Sequence, residues 1–163
     1  MKNGYIFLIA LTAAACSKPA GESIQPAAGC GEGATGIVVS DAWVRAADTT
    51  RPATAAYLTL CNAGPEPDVL VGATSSAAQA VELHETVRAD DGVTRMSPVA
   101  HVELDPSTPV MFAPGGAHIM MIGLNESLEA GATASLTLQF EHGPAITVEA
   151  PVREAAPGAE QHH

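Results

Sequence analysis

Between residues 37 and 153 apolar and polar side chains alternate in short runs, broken every few positions by Gly, Pro, Asn or Asp. The pattern is most regular near the end. Leu136, Leu138, Phe140, Ile146, Val148, Ala150 and Val152 fall on one face of a two-residue repeat, with Thr137, Gln139, Glu141, Thr147 and Glu149 on the other. That period belongs to half-buried strands. The same reading predicts strands over Ile37–Val44, Ala55–Leu60, Val69–Ala73, Ala80–Thr86, Val93–Val99, His101–Leu104, Val110–Phe112, His118–Ile122, Ala134–Phe140 and Ala145–Val152. Glu141-His142-Gly143-Pro144 reads as the turn of a terminal hairpin, and Ser75–Gln79 as a helical turn. No stretch carries the repeat of a long amphipathic helix. Many short strands at regular spacing imply an all-β fold, an antiparallel sandwich or Greek-key barrel.

The alternation stops at both ends. Lys2, the apolar run Ile6–Ala15 and the small residues Ala13-Ala14-Ala15 form an export signal over residues 1–15, too short for a permanent membrane span. Cys16 at the cleavage point resembles the lipidated cysteine of bacterial lipoproteins; the alternative is secretion after Ala15 with a free Cys16. Residues 16–36 are rich in Ala, Gly, Pro and Ser and read as a flexible tether reaching about 20 to 25 Å. Residues 154–163 form a similar tail, which leaves 37–153 as the folded domain. Export also bears on the cysteines. With Cys16 lipidated, Cys30 and Cys61 remain as a pair in an oxidising compartment, where they either form a disulfide or leave a buried Cys61 and a free Cys30.

Composition narrows the partners. Among 163 residues, 18 Asp and Glu face only 7 Lys and Arg, a formal charge of -11, so no basic surface exists to neutralise a nucleic acid backbone. At 47% hydrophobic and 15% charged the chain is also a poor candidate for disorder. The expected product is one acidic domain without nucleic acid, meeting a membrane only through its lipid anchor.

Motifs of nucleophilic, zinc-protease and nucleotide chemistry are missing from the sequence, and Gly115-Gly116 after Pro114 reads first as a turn. Four other residues have a more specific arrangement. His84 is followed after eleven residues by Met96, after a further twenty-one by His118, and after one more by Met120. Alternation puts His84 on the face opposite Val81 and Leu83, together with Glu82, and puts His118 and Met120 on one side of their strand, about 6.5 Å apart. Thioethers and imidazoles together suit Cu(I) and are poor company for Zn(II), Mg(II) or Ca(II). A blue-copper site needs a cysteine, and none follows Cys61. Taken singly, each residue also has an ordinary structural reading, as an exposed histidine or a methionine filling a core gap. Met111 and Met121 read as core, His101 and His142 as surface or turn residues, and Trp43 and Arg45 as packing or strand-edge residues.

The spacing of His84, Met96, His118 and Met120 resembles the H-(M)-x10-M-x21-H-x-M signature of the PCu(A)C-type periplasmic copper chaperone family. Ala42-Trp43-Val44-Arg45, Ala56-Tyr57-Leu58-Thr59-Leu60, Val81-Glu82-Leu83-His84-Glu85 and Pro114-Gly115-Gly116-Ala117-His118-Ile119-Met120 are similar to that family too. The chain departs from it at Glu85, where some relatives carry a further methionine, and at Cys61. The resemblance implies a cupredoxin-like β-barrel that is not an enzyme and binds one Cu(I) per monomer through His84, Met96, His118 and Met120. It implies periplasmic delivery to the dinuclear copper site of cytochrome c oxidase subunit II, with a Sco-type thiol protein as a further partner. His162 and His163, near Glu160, would form a weak Cu(II) site in the tail. Two other readings are copper sequestration for tolerance and a structural β-sandwich lipoprotein with incidental His and Met.

Overall fold

The structure is a computed structural model and describes residues 30–31, 34–89 and 92–154. The export signal, Cys16 and the tail residues Glu160, His162 and His163 lie outside these. Ten strands follow one another: β1 (Ile37–Arg45), β2 (Ala53–Asn62), β3 (Asp68–Thr74), β4 (Ala78–Arg88), β5 (Thr94–Pro98), β6 (Val102–Leu104), β7 (Pro109–Phe112), β8 (His118–Leu124), β9 (Thr133–Phe140) and β10 (Ile146–Arg153). Each overlaps one of the strands predicted from the sequence, and none of the described residues is helical. At Ser75–Gln79 the backbone makes a tight turn between β3 and β4 instead of a helical one. There the Ser75 hydroxyl accepts from the Ala77 amide and donates to the Ser135 carbonyl, and such local bonding competes with helix.

The strand order is β5-β4-β8-β2-β1-β10-β9-β3-β6, with β7 also paired to β2. The first five strands form one layer and the last four the other. The seam between them is a short parallel pairing of β1 with β10, Val44 opposite Val152 and Arg45 opposite Arg153. The expected all-β fold of antiparallel strands is thus present, with this one parallel pairing making the sheet mixed. Alternation within a strand carries no information on the direction of its neighbour.

Leu58, Leu60, Ile119, Met121 and Leu83 point inward from the first layer, and Leu70, Leu136, Leu138, Phe140, Ala150 and Val152 from the second. Burial of these side chains is the main force holding the layers together, at about 1.5–3 kcal/mol for each large residue. Met121 is fully buried, but Met111 is 65% exposed, a correction to its reading as core. In β7 the inward position belongs to Phe112, opposite Leu58, which turns Met111 outward opposite Thr59.

Candidate metal centre

The outer face of the first layer collects the residues singled out by spacing. β4 and β8 run antiparallel with His84 opposite His118 and Glu82 opposite Met120. β5 continues the sheet on the other side of β4, with Pro98 opposite His84 and Met96 opposite Thr86. Paired residues share a face, and so do residues two apart on a strand. His84, Met96, His118 and Met120 therefore stand on one face of three adjacent strands, with Glu82 among them. The two imidazole rings have their centroids 5.7 Å apart. Burial is graded across the group. His118 is buried, Met120 half-buried, and Met96, on the edge strand, is 61% exposed.

Each histidine is held differently. His118 donates from Nδ1 to the carbonyl of Gly116 at 3.0 Å, which leaves Nε2 bare. That carbonyl also accepts from the Thr86 amide, which fastens the turn before β8 to β4. The turn runs Ala113-Pro114-Gly115-Gly116, closed by Gly116 N–H to Ala113 C=O, with Gly115 at φ 82°. Proline in the second position and a left-handed glycine in the third is the type II pattern. His84 has its Nε2 2.9 Å from the Glu82 carboxylate, while its Nδ1 is buried with no hydrogen-bond partner. A buried nitrogen lone pair left unpaired costs about 1–3 kcal/mol, which makes His84 Nδ1 the least satisfied polar atom on this face among the described residues.

An aromatic pair stands beside the histidines. The register that sets Ala56 opposite Ile119 makes Tyr57 and His118 the next residues along their strands. Tyr57 in turn faces Trp43 of β1, ring centroids 4.5 Å apart. A bulge between Ser40 and Trp43, with Asp41 at φ 53°, lets both of those residues face outward. Burial pushes the Tyr57 phenol above its ordinary value, partly offset by the positive Arg45 nearby. It stays neutral at physiological pH. Cys61 occupies the same face of β2 as Tyr57, about 13 Å further along the strand, and is joined to Cys30 by a disulfide with Cα atoms 5.1 Å apart.

Spacing and alternation do not reveal two features of this site, the Gly116 carbonyl and the aromatic pair, and they place Glu82 beside His84 without giving it a role. For Glu82 the sequence does hold a signal, since Glu82-Leu83-His84 places carboxylate and imidazole two apart on one strand face. Among the described residues no group of three or more His, Cys, Asp or Glu is placed to hold a metal ion.

Residues 37–152 match the family model described as LpqE-like. The chain belongs to the LpqE-like family. It is 38% identical over 147 residues to a chain of Leifsonia xyli subsp. xyli (strain CTCB07) named as lipoprotein Lxx21020, covering 90% of this chain and 84% of that one. Among solved structures it is similar to the copper-bound PCuAC domain from PmoF2, with a TM-score of 0.63 and 27% identity over 75% of this chain and 97% of that domain. It is similar also to the solution structure of CuI-DR1885 from Deinococcus radiodurans, with a TM-score of 0.55 and 30% identity over 72% of this chain and 77% of that one. The LpqE-like chain thus has the cupredoxin-like β fold of the PCuAC domains.

Proposed function

We propose that this LpqE-like chain is an exported copper-binding chaperone, that it catalyses no reaction, and that it carries one Cu(I) on His84, Met96, His118 and Met120. The observation that carries the reading is the buried, unpartnered Nδ1 of His84, directly across the ladder from His118 and flanked on the same face by two thioethers. The residues fit the ion. Four neutral donors, two of them soft sulfurs, favour Cu(I) over harder cations. Support comes also from similarity to domains solved with copper bound.

The graded burial suits release. His118 and Met120 are fixed in the interior of the sheet, whereas Met96 lies on the open edge strand, where an acceptor can displace it first. Delivery to the dinuclear copper centre of cytochrome c oxidase subunit II, directly or through a Sco-type thiol protein, is the destination we infer. We infer also that Cys16 is lipidated, which would hold the domain at a membrane surface in the periplasm.

Competition of the purified protein with a chromogenic Cu(I) chelator tests the site, and X-ray absorption reads its ligands. We expect one Cu(I) per chain with mixed nitrogen and sulfur scattering, and strong weakening in His118→Ala. A protein that yields all its copper to a chelator of modest affinity, or shows no sulfur scattering, would falsify the reading. In cells, loss of oxidase activity at low copper on deletion supports delivery; copper sensitivity with normal oxidase supports sequestration instead.

A further inference from the structure

We propose that Glu82 is a positioning residue of the copper site, one that selects which nitrogen of His84 faces the ion. The inference rests on the copper reading above and deepens it. A carboxylate has only acceptor oxygens, so the 2.9 Å contact between Glu82 Oε2 and His84 Nε2 places the imidazole proton on Nε2. A neutral imidazole has one N–H, and the lone pair is then left on Nδ1, which is buried with no hydrogen-bond partner. His118 is set the other way: its Nδ1–H is held by the Gly116 carbonyl, and Nε2 is the free donor. The two facing histidines therefore present different nitrogens, Nδ1 from His84 and Nε2 from His118. Metal-bound imidazoles commonly give their second N–H to a carboxylate or a carbonyl, and here the two rings use one of each.

Glu82 has a second property. It stands opposite Met120 in the ladder, so its negative charge lies on the same sheet face as four neutral donors. A monovalent cation held by those donors has its countercharge at Glu82. Glu85 differs: it pairs with Ser97, on the alternate face of β4, and provides a control of equal charge on the same strand.

The experiment uses the purified protein with 15N-labelled histidine, in wild type, Glu82→Gln, Glu82→Ala and Glu85→Gln. Long-range proton–nitrogen spectra of the copper-free protein read the tautomer of each ring. We expect His84 protonated on Nε2 and His118 on Nδ1 in wild type. Glu82→Ala should turn His84 into a tautomer mixture and leave His118 unchanged. Glu82→Gln, whose amide oxygen still accepts, should restore the His84 tautomer. Chelator competition should show Cu(I) affinity about 10–100-fold lower in Glu82→Ala, partly recovered in Glu82→Gln, and unchanged in Glu85→Gln. Wild-type tautomer and affinity in Glu82→Ala would overturn the proposal, as would a wild-type His84 protonated on Nδ1. Loss of copper by all four proteins alike would instead sink the copper reading, while the tautomer spectra would still decide the role of Glu82.

Discussion

Met120 and Met121 are consecutive on β8 and face opposite sides of the sheet: Met120 lies across from Glu82 on the outer face, and Met121 is wholly buried in the core. One residue type therefore does two jobs at neighbouring positions, and substitution separates them. Met120→Leu keeps volume and removes the sulfur. It should leave the unfolding free energy within about 0.5 kcal/mol of wild type and lower Cu(I) affinity at least about tenfold. Met121→Ala should cost about 2–5 kcal/mol by cavity formation and leave the copper stoichiometry of the folded protein intact. Urea unfolding and chelator competition on both variants check this pair, and a reversal of the two phenotypes would refute the face assignment.

The strands were legible because alternation writes burial directly into the sequence, as in β9 and β10, where Leu136 and Leu138 face Val148 and Ile146 across the ladder. The parity of Met120 against Met121 could be read for the same reason. Met111 could not. Its strand is four residues long, and nothing in so short a run says whether Met111 or Phe112 takes the inward position. Pairing partners were illegible too. That β4 lies beside β8, so that His84 meets His118, is decided by the whole barrel, and the spacing of the four residues indicates only that they resemble a known set. Least visible are contacts made through backbone groups, such as the Gly116 carbonyl on His118 or the amides held by Asp68.

Asp68 holds the β9–β10 turn from 74 residues away. Its carboxylate accepts from the amides of His142 and Gly143 and from that of Val69, with the His142 ring 3.4 Å distant. A Cβ added at Gly143 would meet the Asp68 carboxylate at 2.9 Å and force it to shift. Burial pushes the Asp68 carboxyl up, but these hydrogen bonds together bring it below its ordinary value. A depressed folded pKa gives stability that is present above the unfolded pKa and is lost as pH falls through the folded one. Asp68→Ala should therefore cost about 1–3 kcal/mol at pH 7, and its gap to wild type should narrow progressively below about pH 4. Thermal unfolding of the two proteins across that range reads the gap; one that widens in acid would rule out this role.

The Cys30–Cys61 disulfide closes a segment of 31 residues in sequence separation and fastens the chain before β1 to β2. Loop-closure entropy for that length corresponds to about 3 to 4 kcal/mol. Cys30→Ser should lower the urea midpoint accordingly, and reductant should bring wild type to the same value. Because Cys61 is well along β2 from the histidines, Cu(I) affinity should not change in either case. A drop in affinity on reduction would mean that a cysteine sulfur belongs to the site.

Gly115 connects backbone strain to the orientation of His118. Its φ of 82° lies in the left-handed region, and a Cβ there would meet nothing within 4 Å, so the cost of Gly115→Ala is conformational alone, about 1–2 kcal/mol. Gly116 is the matching control, for its added Cβ would make only ordinary contact with the Ala113 carbonyl at 3.7 Å. Relief of the strain in Gly115→Ala would rotate the Gly115–Gly116 peptide and so displace Gly116, whose carbonyl accepts from both His118 Nδ1 and the Thr86 amide. Gly115→Ala should then lower Cu(I) affinity about three- to tenfold beyond its effect on stability, with the His118 tautomer no longer pure, whereas Gly116→Ala should leave both near wild type. Chelator competition combined with histidine nitrogen spectra distinguishes the two. Equal affinity in both variants would mean that the Pro114-Gly115 turn shapes the loop without orienting the ligand.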